Sequence, residues 1–196
     1  MPEPEPVPQL PTDGLRRCGW AGSAPEYMAY HDDEWGRPLH GVDAMFERLS
    51  LEGFQSGLSW LVILRKRPAF RAAFARFDPK KVAEFGDADV QRLLADAGIV
   101  RNRAKIEATI HNARAVLEFA EPLDELLWSF APDPATHPRP ATLADVPATS
   151  PESTAMARAL KRNGLRFVGP TTCYALMQAT GLVDDHVQGC WRAAMG

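Results

Sequence analysis

Residues 93–105 read Leu93-Leu94-Ala95-Asp96-Ala97-Gly98-Ile99-Val100-Arg101-Asn102-Arg103-Ala104-Lys105. One helix ends at Gly98, since glycine takes the left-handed conformation that closes a helix at little cost. A second opens at Asn102, whose side chain can accept from the bare N–H groups of a first turn. Two helices meeting across so short a turn form either a Gly-capped corner or a helix-hairpin-helix phosphate clamp. In a clamp, the N-terminal N–H groups and Arg101, Arg103 and Lys105 would face one phosphate. The residues by themselves leave both readings open.

The pattern around this corner is helical throughout. Residues 102–120 place Ile106, Ile110, Ala113 and Leu117 on one face and are expected to form the central helix. Upstream, Met45, Phe46, Leu49 and Phe54, then Leu61, Ile63 and Leu64, then Phe70, Phe74 and Phe77 recur at helical spacing. Pro68, Asp78-Pro79, Asp87 and Pro122 are read as marking helix starts. Downstream, a last helical pair is expected over 152–163 and 170–180. No alternating strand pattern of useful length occurs, so the fold class is all-α.

Residues 1–15 hold five prolines and read as an extended, disordered tail, leaving 16–196 as the helical domain. Residues 131–151 carry six prolines and read as a long surface connection. The 196 residues are 45% hydrophobic and 24% charged, which excludes a mainly disordered or fibrous chain. No apolar run approaches the length of a membrane helix, and the first residues have no secretory pattern. Three cysteines, Cys18, Cys173 and Cys190, are too few for a disulfide framework, so a reducing cytoplasm is expected. The net charge of −3 means that any polyanion must be met locally, not by bulk charge.

Two constellations could carry chemistry. Cys18 and His31 near the start of the domain, with the His186-x3-Cys190 pair near its end, offer two imidazoles and two thiols. If the pair lies on a helical turn, both side chains share a face. Such a set makes a closed tetrahedral zinc site with no position for an activated water. It would clip the terminal segments together, and the chain-entropy model gives about 4.7 kcal/mol for closing a loop of about 100 residues. From spacing alone the zinc signal is weak, since separated pairs are not a finger, and a buried thiol with ordinary histidines is the commoner arrangement. The other constellation lies between Cys18 and Trp60: Trp20, Tyr27, Tyr30, Trp35 and Trp60 with Glu34 and Glu52, which include three of the five tryptophans and two of the three tyrosines. Flat rings can sandwich a planar heterocycle, and a carboxylate among them favours a cationic base. Ordinary aromatic core packing would produce the same composition.

Taken together, RCGW (17–20), YHDDEWG (30–36), LEGFQSGLSW (51–60), DAGIVRNRAKI (96–106), WSF (128–130), FVGPTTCYALMQATGLVDDH (167–186) and Gly189-Cys190 resemble the DNA-3-methyladenine glycosylase I family, from about Arg17 to Cys190. The resemblance implies a helix-hairpin-helix glycosylase fold with a structural zinc on Cys18, His31, His186 and Cys190. It implies a base pocket of Glu52, Tyr27, Tyr30 and Trp60, with Trp20 and Trp35 as further walls. Glu52 would be the catalytic and base-recognising carboxylate. Gln55 and Leu58 would lie in a plug that fills the gap left by a flipped nucleotide, while Arg101, Arg103 and Lys105 would hold DNA. Phe54, Ser56 and Pro170 depart from the family's pattern.

The implied reaction is monofunctional hydrolysis of the bond between deoxyribose and N9 of 3-methyladenine in alkylated duplex DNA, by a monomer. Helix-hairpin-helix glycosylases often carry an Asp soon after the hairpin, and none lies between Asp96 and Asp124 here. A zinc-stapled DNA-binding module without catalysis would keep the four metal ligands and the hairpin but would lack the pocket. A nucleoside hydrolase would have no use for Gln55, Leu58 or the basic hairpin.

Overall fold

The structure, a computed structural model, describes residues 13–194. The extended tail expected over residues 1–15 therefore lies, except for its last three residues, outside the described residues. Among the described residues there are nine α-helices, short 3-10 turns and no strand. In order these are α1 (Pro25–Asp33), α2 (Val42–Gln55), α3 (Trp60–Ala73), α4 (Pro79–Ala83), α5 (Asp87–Ala95), α6 (Arg103–Leu117), α7 (Leu123–Trp128), α8 (Pro151–Arg162) and α9 (Pro170–Ala179).

Local chemistry explains most boundaries. The Asp78 side chain accepts from the N–H of Lys80 at the start of α4, and Pro79 supplies the pre-set φ of a first helical position. Ser150 caps α8 with Pro151 behind it, and Pro170 sits at the first position of α9, so the departure at Pro170 is one a helix start accepts. Pro68 corrects the reading as a start signal, because it lies inside α3. Burial of Ile63 and Leu64 before it and Phe70 after it holds one helix across the missing N–H donor. Helix α1 and the preceding 3-10 turn Gly19–Ser23 have no counterpart in the sequence reading, since their aromatic and acidic residues show no clean periodicity. In α6, Val116 is buried and Leu117 is 45% exposed, so the apolar stripe ends one residue earlier than the spacing indicates.

Helix α2 runs through the centre, packed on α9, α3, α6 and α7, and every residue from Met45 to Phe54 is buried. Phe54 joins Phe70, Phe74 and Phe77 in an aromatic cluster, so that departure from the family pattern is a core residue and not part of a surface plug. A helix buried on all sides should be apolar on all sides. Instead, α2 buries Glu47, Arg48 and Glu52.

The end of α9 is pinned to the chain between α1 and α2: Gly36 N–H donates to Gln178 O and Leu39 N–H to Thr180 O, each at 3.0 Å. Gly181, at φ +74°, lies so close that a Cβ there would stand 2.4 Å from the carbonyl carbon of Arg37. Gly181→Ala is therefore expected to cost about 2–4 kcal/mol, from the left-handed backbone and a clash with main chain that cannot swing away. Urea unfolding checks this, and a loss under about 1 kcal/mol would contradict the close approach.

Candidate active site

Cys18, His31, His186 and Cys190 are all buried, and their donor atoms lie within 4.8 Å of one another. Sγ of Cys190 is 3.4 Å from His31 Nε2 and 3.6 Å from His186 Nδ1, while Sγ of Cys18 is 3.7 Å from His186 Nδ1. Sulfur and nitrogen at tetrahedral angles on one metal, with ordinary bond lengths, stand about 3.6 Å apart. The other ring nitrogens are occupied: His31 Nδ1 pairs with Asp32 Oδ1 at 2.8 Å, and His186 Nε2 lies 3.2 Å from Trp35 O. This leaves one nitrogen of each ring for the cluster, as metal-binding histidines are usually held. Burial lowers the affinity of both imidazoles for protons and pushes the Cys18 thiol up to about 12. The four residues could hold a metal ion. The His186–Cys190 pair reaches this position on a turn and not on a helix: Cys190 N–H donates to Val187 O, with Gly189 at φ +78°.

Next to this cluster opens a cavity of about 360 Å³, lined by Trp20, Tyr27, Tyr30, Trp35, Glu52, Gln55 and Trp60. The aromatic walls brace one another. Trp20 meets Trp35 edge-on at 5.1 Å and Tyr27 at 5.6 Å, and Tyr30 meets Trp60 at 5.5 Å. They also brace the cluster, since Trp35 meets His186 edge-on at 4.7 Å and Trp20 meets His31 at 5.4 Å. Tyr27 Oη accepts from the N–H of Leu61, which fixes that ring to the first turn of α3. Trp60 Nε1 is buried and has no hydrogen-bond partner among the described residues.

Glu52 comes from the middle of α2 and is 5% exposed. Its carboxylate accepts no hydrogen bond from any described residue, and burial pushes it up to about 8, with Arg48 pulling the other way. Of the three buried charges on α2, Glu47 is held by Arg71 through three hydrogen bonds and Arg48 by Glu34, so Glu52 alone has no polar partner. A buried carboxylate left without donors in an aromatic cavity suits a cationic planar ligand.

Five further lining residues escape the sequence reading: Leu143 and Val146 from the proline-rich connection, and Ala175, Gln178 and Ala179 from α9. The connection folds back on the terminal segment. His137 Nε2 is 2.9 Å from Asp185 Oδ1, Arg139 bonds to Asp184 and to His186 O, and Gln188 N–H donates to Pro140 O. Asp185 also accepts from Tyr174 and Gln178, and so sets the Gln178 side chain. Leu143 and Val146 are large aliphatic residues amid the prolines, the only local signal that this segment covers something apolar.

Past α2 the chain turns sharply at Gly57, φ +83°, and presents Leu58 at 42% exposure beside the cavity rim that Gln55 lines. A corner forms over residues 96–102, but α5 already ends at Ala95 and Gly98 is not left-handed, which corrects the expected Gly98 cap. This glycine instead fits a close approach, where a Cβ would stand 2.9 Å from Ala69 Cβ. Asp96 accepts from Gly98 N–H, Asn102 accepts from Lys105 N–H, and Arg101 and Arg103 are exposed. Lys105 is placed differently from a solvent-facing phosphate ligand. It is buried, and its ammonium donates to the carbonyls of Phe54 and Ser56 at 2.8 and 2.6 Å. The last carbonyls of α2 have no helical partners of their own, and a cation is what they attract. Lys105 thereby ties the corner to the Gln55–Leu58 turn.

A family model described as methyladenine glycosylase matches residues 20–193. The chain belongs to this family. DNA-3-methyladenine glycosylase 1 of Escherichia coli K12 is 48% identical over 179 residues, covering 90% of this chain and 96% of that protein. A crystal structure of a 3-methyladenine DNA glycosylase I superposes with a TM-score of 0.86 at 46% identity, over 90% of this chain and 98% of the other. The Staphylococcus aureus glycosylase, solved to explain its recognition of 3-methyladenine, superposes at 0.85 with 34% identity, covering 90% and 96%. The methyladenine glycosylase match spans both the aromatic cavity and all of the four-ligand cluster but Cys18, which lies two residues before it. No helix among the described residues is long and apolar enough to cross a membrane.

Proposed function

We propose that this chain removes 3-methyladenine from alkylated duplex DNA by hydrolysing the C1′–N9 bond, leaving an abasic site. The observation that carries the reading is the donor-free Glu52 carboxylate inside an aromatic cavity. Methylation at N3 places a positive charge on the base. The base therefore leaves as a neutral molecule, taking the C1′–N9 electron pair, while water forms the new bond to C1′ and gives up a proton. Little acid catalysis is needed. The protein's task is to extrude the nucleotide, at a cost of a few kcal/mol, and to favour the charged purine over a neutral one. Tyr27, Tyr30, Trp60 and Trp20 would enclose the base, while Glu52 would recognise its charge and stabilise the developing oxocarbenium sugar. A DNA-binding module without catalysis has no need of such a carboxylate. Incubating the protein with methylated duplex and measuring free 3-methyladenine tests the reading, and the absence of any released purine would refute it.

The residues 93–105 would serve as a helix-hairpin-helix clamp in which Arg101 and Arg103 meet phosphates. Lys105 would work from behind, holding Gln55 and Leu58 ready to fill the gap left by the flipped nucleotide. Replacing Arg101 and Arg103 by alanine should weaken binding to lesion and undamaged duplex alike. It should also reduce the slope of log K against log salt by about one for each phosphate that the two arginines neutralise. Fluorescence anisotropy at several salt concentrations measures both, and unchanged affinity would remove these arginines from the interface. The Cys18, His31, His186 and Cys190 cluster would hold a structural zinc, because all four tetrahedral positions are filled by protein. Cys18, Cys173 and Cys190 are buried and form no disulfide, which suits a reducing cytoplasm.

A further inference from the structure

Arg48 lies one helical turn before Glu52 on α2, and residues so spaced share a helix face. It is 6% exposed. Its guanidinium carbon stands 5.5 Å from the centre of the Tyr30 ring, which is a cavity wall, and Nη2 donates to Glu34. Glu34 is already engaged through both oxygens by Arg67, at 2.6 and 2.7 Å. A second nitrogen, Arg48 Nη1, is buried without a hydrogen-bond partner among the described residues. Arg48, Arg67, Glu34 and Glu52 carry two positive charges, and two negative ones only while Glu52 is a carboxylate. Since an uncompensated buried charge is costly, neutrality of the cluster favours that state.

We propose that Arg48 is a positioning residue for base recognition: a buried counter-charge that draws Glu52 toward its ionised form against the cost of burial while bracing Tyr30 from outside. This rests on the glycosylase reading of the cavity. No other nearby group competes for the role. On α1 the neighbours are Tyr30 and Glu34; on α3, Arg67 faces Glu34 and Arg71 is taken by Glu47. Lys105 of α6 gives its ammonium to main-chain carbonyls, Asp124 of α7 accepts from Gly41 N–H, and α9 has no charged residue. Burial raises the Glu52 carboxyl, and Arg48 is the group that lowers it.

The test is a 13C titration of the Glu52 side-chain carboxyl in the full chain, assigned by its loss in Glu52→Gln, alongside the pH profile of kcat/KM for release of 3-methyladenine. In Arg48→Met the titration midpoint should rise by about one pH unit or more, the usual size of a nearby opposite charge. Arg48→Lys should restore the parental midpoint. Glu34→Gln, which frees Arg48 from its competing anion, should move the midpoint down. The acid limb of the activity profile should follow each shift. Parental midpoints in Arg48→Met and Glu34→Gln would overturn the proposal, since a merely structural arginine leaves them in place. If Arg48→Met does not fold, an unmoved or raised midpoint in Glu34→Gln overturns it alone. A parent protein that releases no base refutes the glycosylase reading, while the midpoints still judge Arg48.

Discussion

Glu52→Gln is expected to lower kcat/KM for 3-methyladenine excision by about 10²-fold or more while the fold survives. The carboxylate faces the base with no donor of its own to satisfy. Replacing it by a neutral amide removes an interaction with charge of about 1.5–3 kcal/mol in the ground state, and more as the sugar becomes cationic. Folding should not suffer. The folded protein holds this carboxyl above its ordinary range, at about 8, so the ionised form is the disfavoured one in the fold. Its contribution to stability is therefore present in full below the ordinary glutamate range and is lost as pH rises through about 8. The Gln variant cannot show that loss, and above about pH 8 it should melt at or above the parental temperature. Single-turnover assays and thermal melts from about pH 5 to about pH 9 check both halves. Excision at the parental rate would remove Glu52 from the proposed chemistry, and a collapsed variant would make its burial a matter of folding instead.

Cys190→Ala should abolish the metal binding proposed for the four-residue cluster and melt about 10 °C below the parent. Cys18 and His31 lie near the start of the described residues, and His186 and Cys190 near their end. A metal on all four closes a loop spanning almost the whole domain, a constraint of about 4–5 kcal/mol on the unfolded chain. At this chain length each kcal/mol corresponds to about 2–4 °C. Part of the clip survives without metal, because Trp191 N–H donates to Arg16 O, and Arg17 and Trp191 both bond to Asp32. The variant should therefore fold but melt lower. Since Trp35 and Trp20 rest on the two histidines, it should also bind the base more weakly. Elemental analysis with calorimetry decides the matter. A full equivalent of metal in the variant would mean that the ligand set is wrong.

Helix periodicity, several caps and the presence of a corner within 93–105 are legible in the sequence because they depend on neighbours a few residues away, although α5 stops at Ala95 and not at Gly98. Asn102 caps α6 as its position implies, and the helices over 151–162 and 170–179 begin within a residue of the expected places. Pro68 defeats a local reading because its effect depends on what the flanking turns bury. The same limit hides Leu143 and Val146, which line the cavity on a connection held to the terminal segment at Asp185, and Gln178 of α9, whose side chain Asp185 sets. The pocket residues from Trp20 to Trp60 are visible as a composition, and only the family resemblance separates them from ordinary core.

The amino-acid sequence by itself determined an all-helical chain, its two ends rich in cysteine and histidine, and a stretch crowded with rings and carboxylates. Helical period and ligand type are properties of residues and short spacings. Tertiary structure alone decided that Glu52 would stand without a donor while Glu47 found Arg71, and that Lys105 would turn inward to the end of α2. Those outcomes depend on which distant groups share a buried volume, since water there no longer offsets a missing partner.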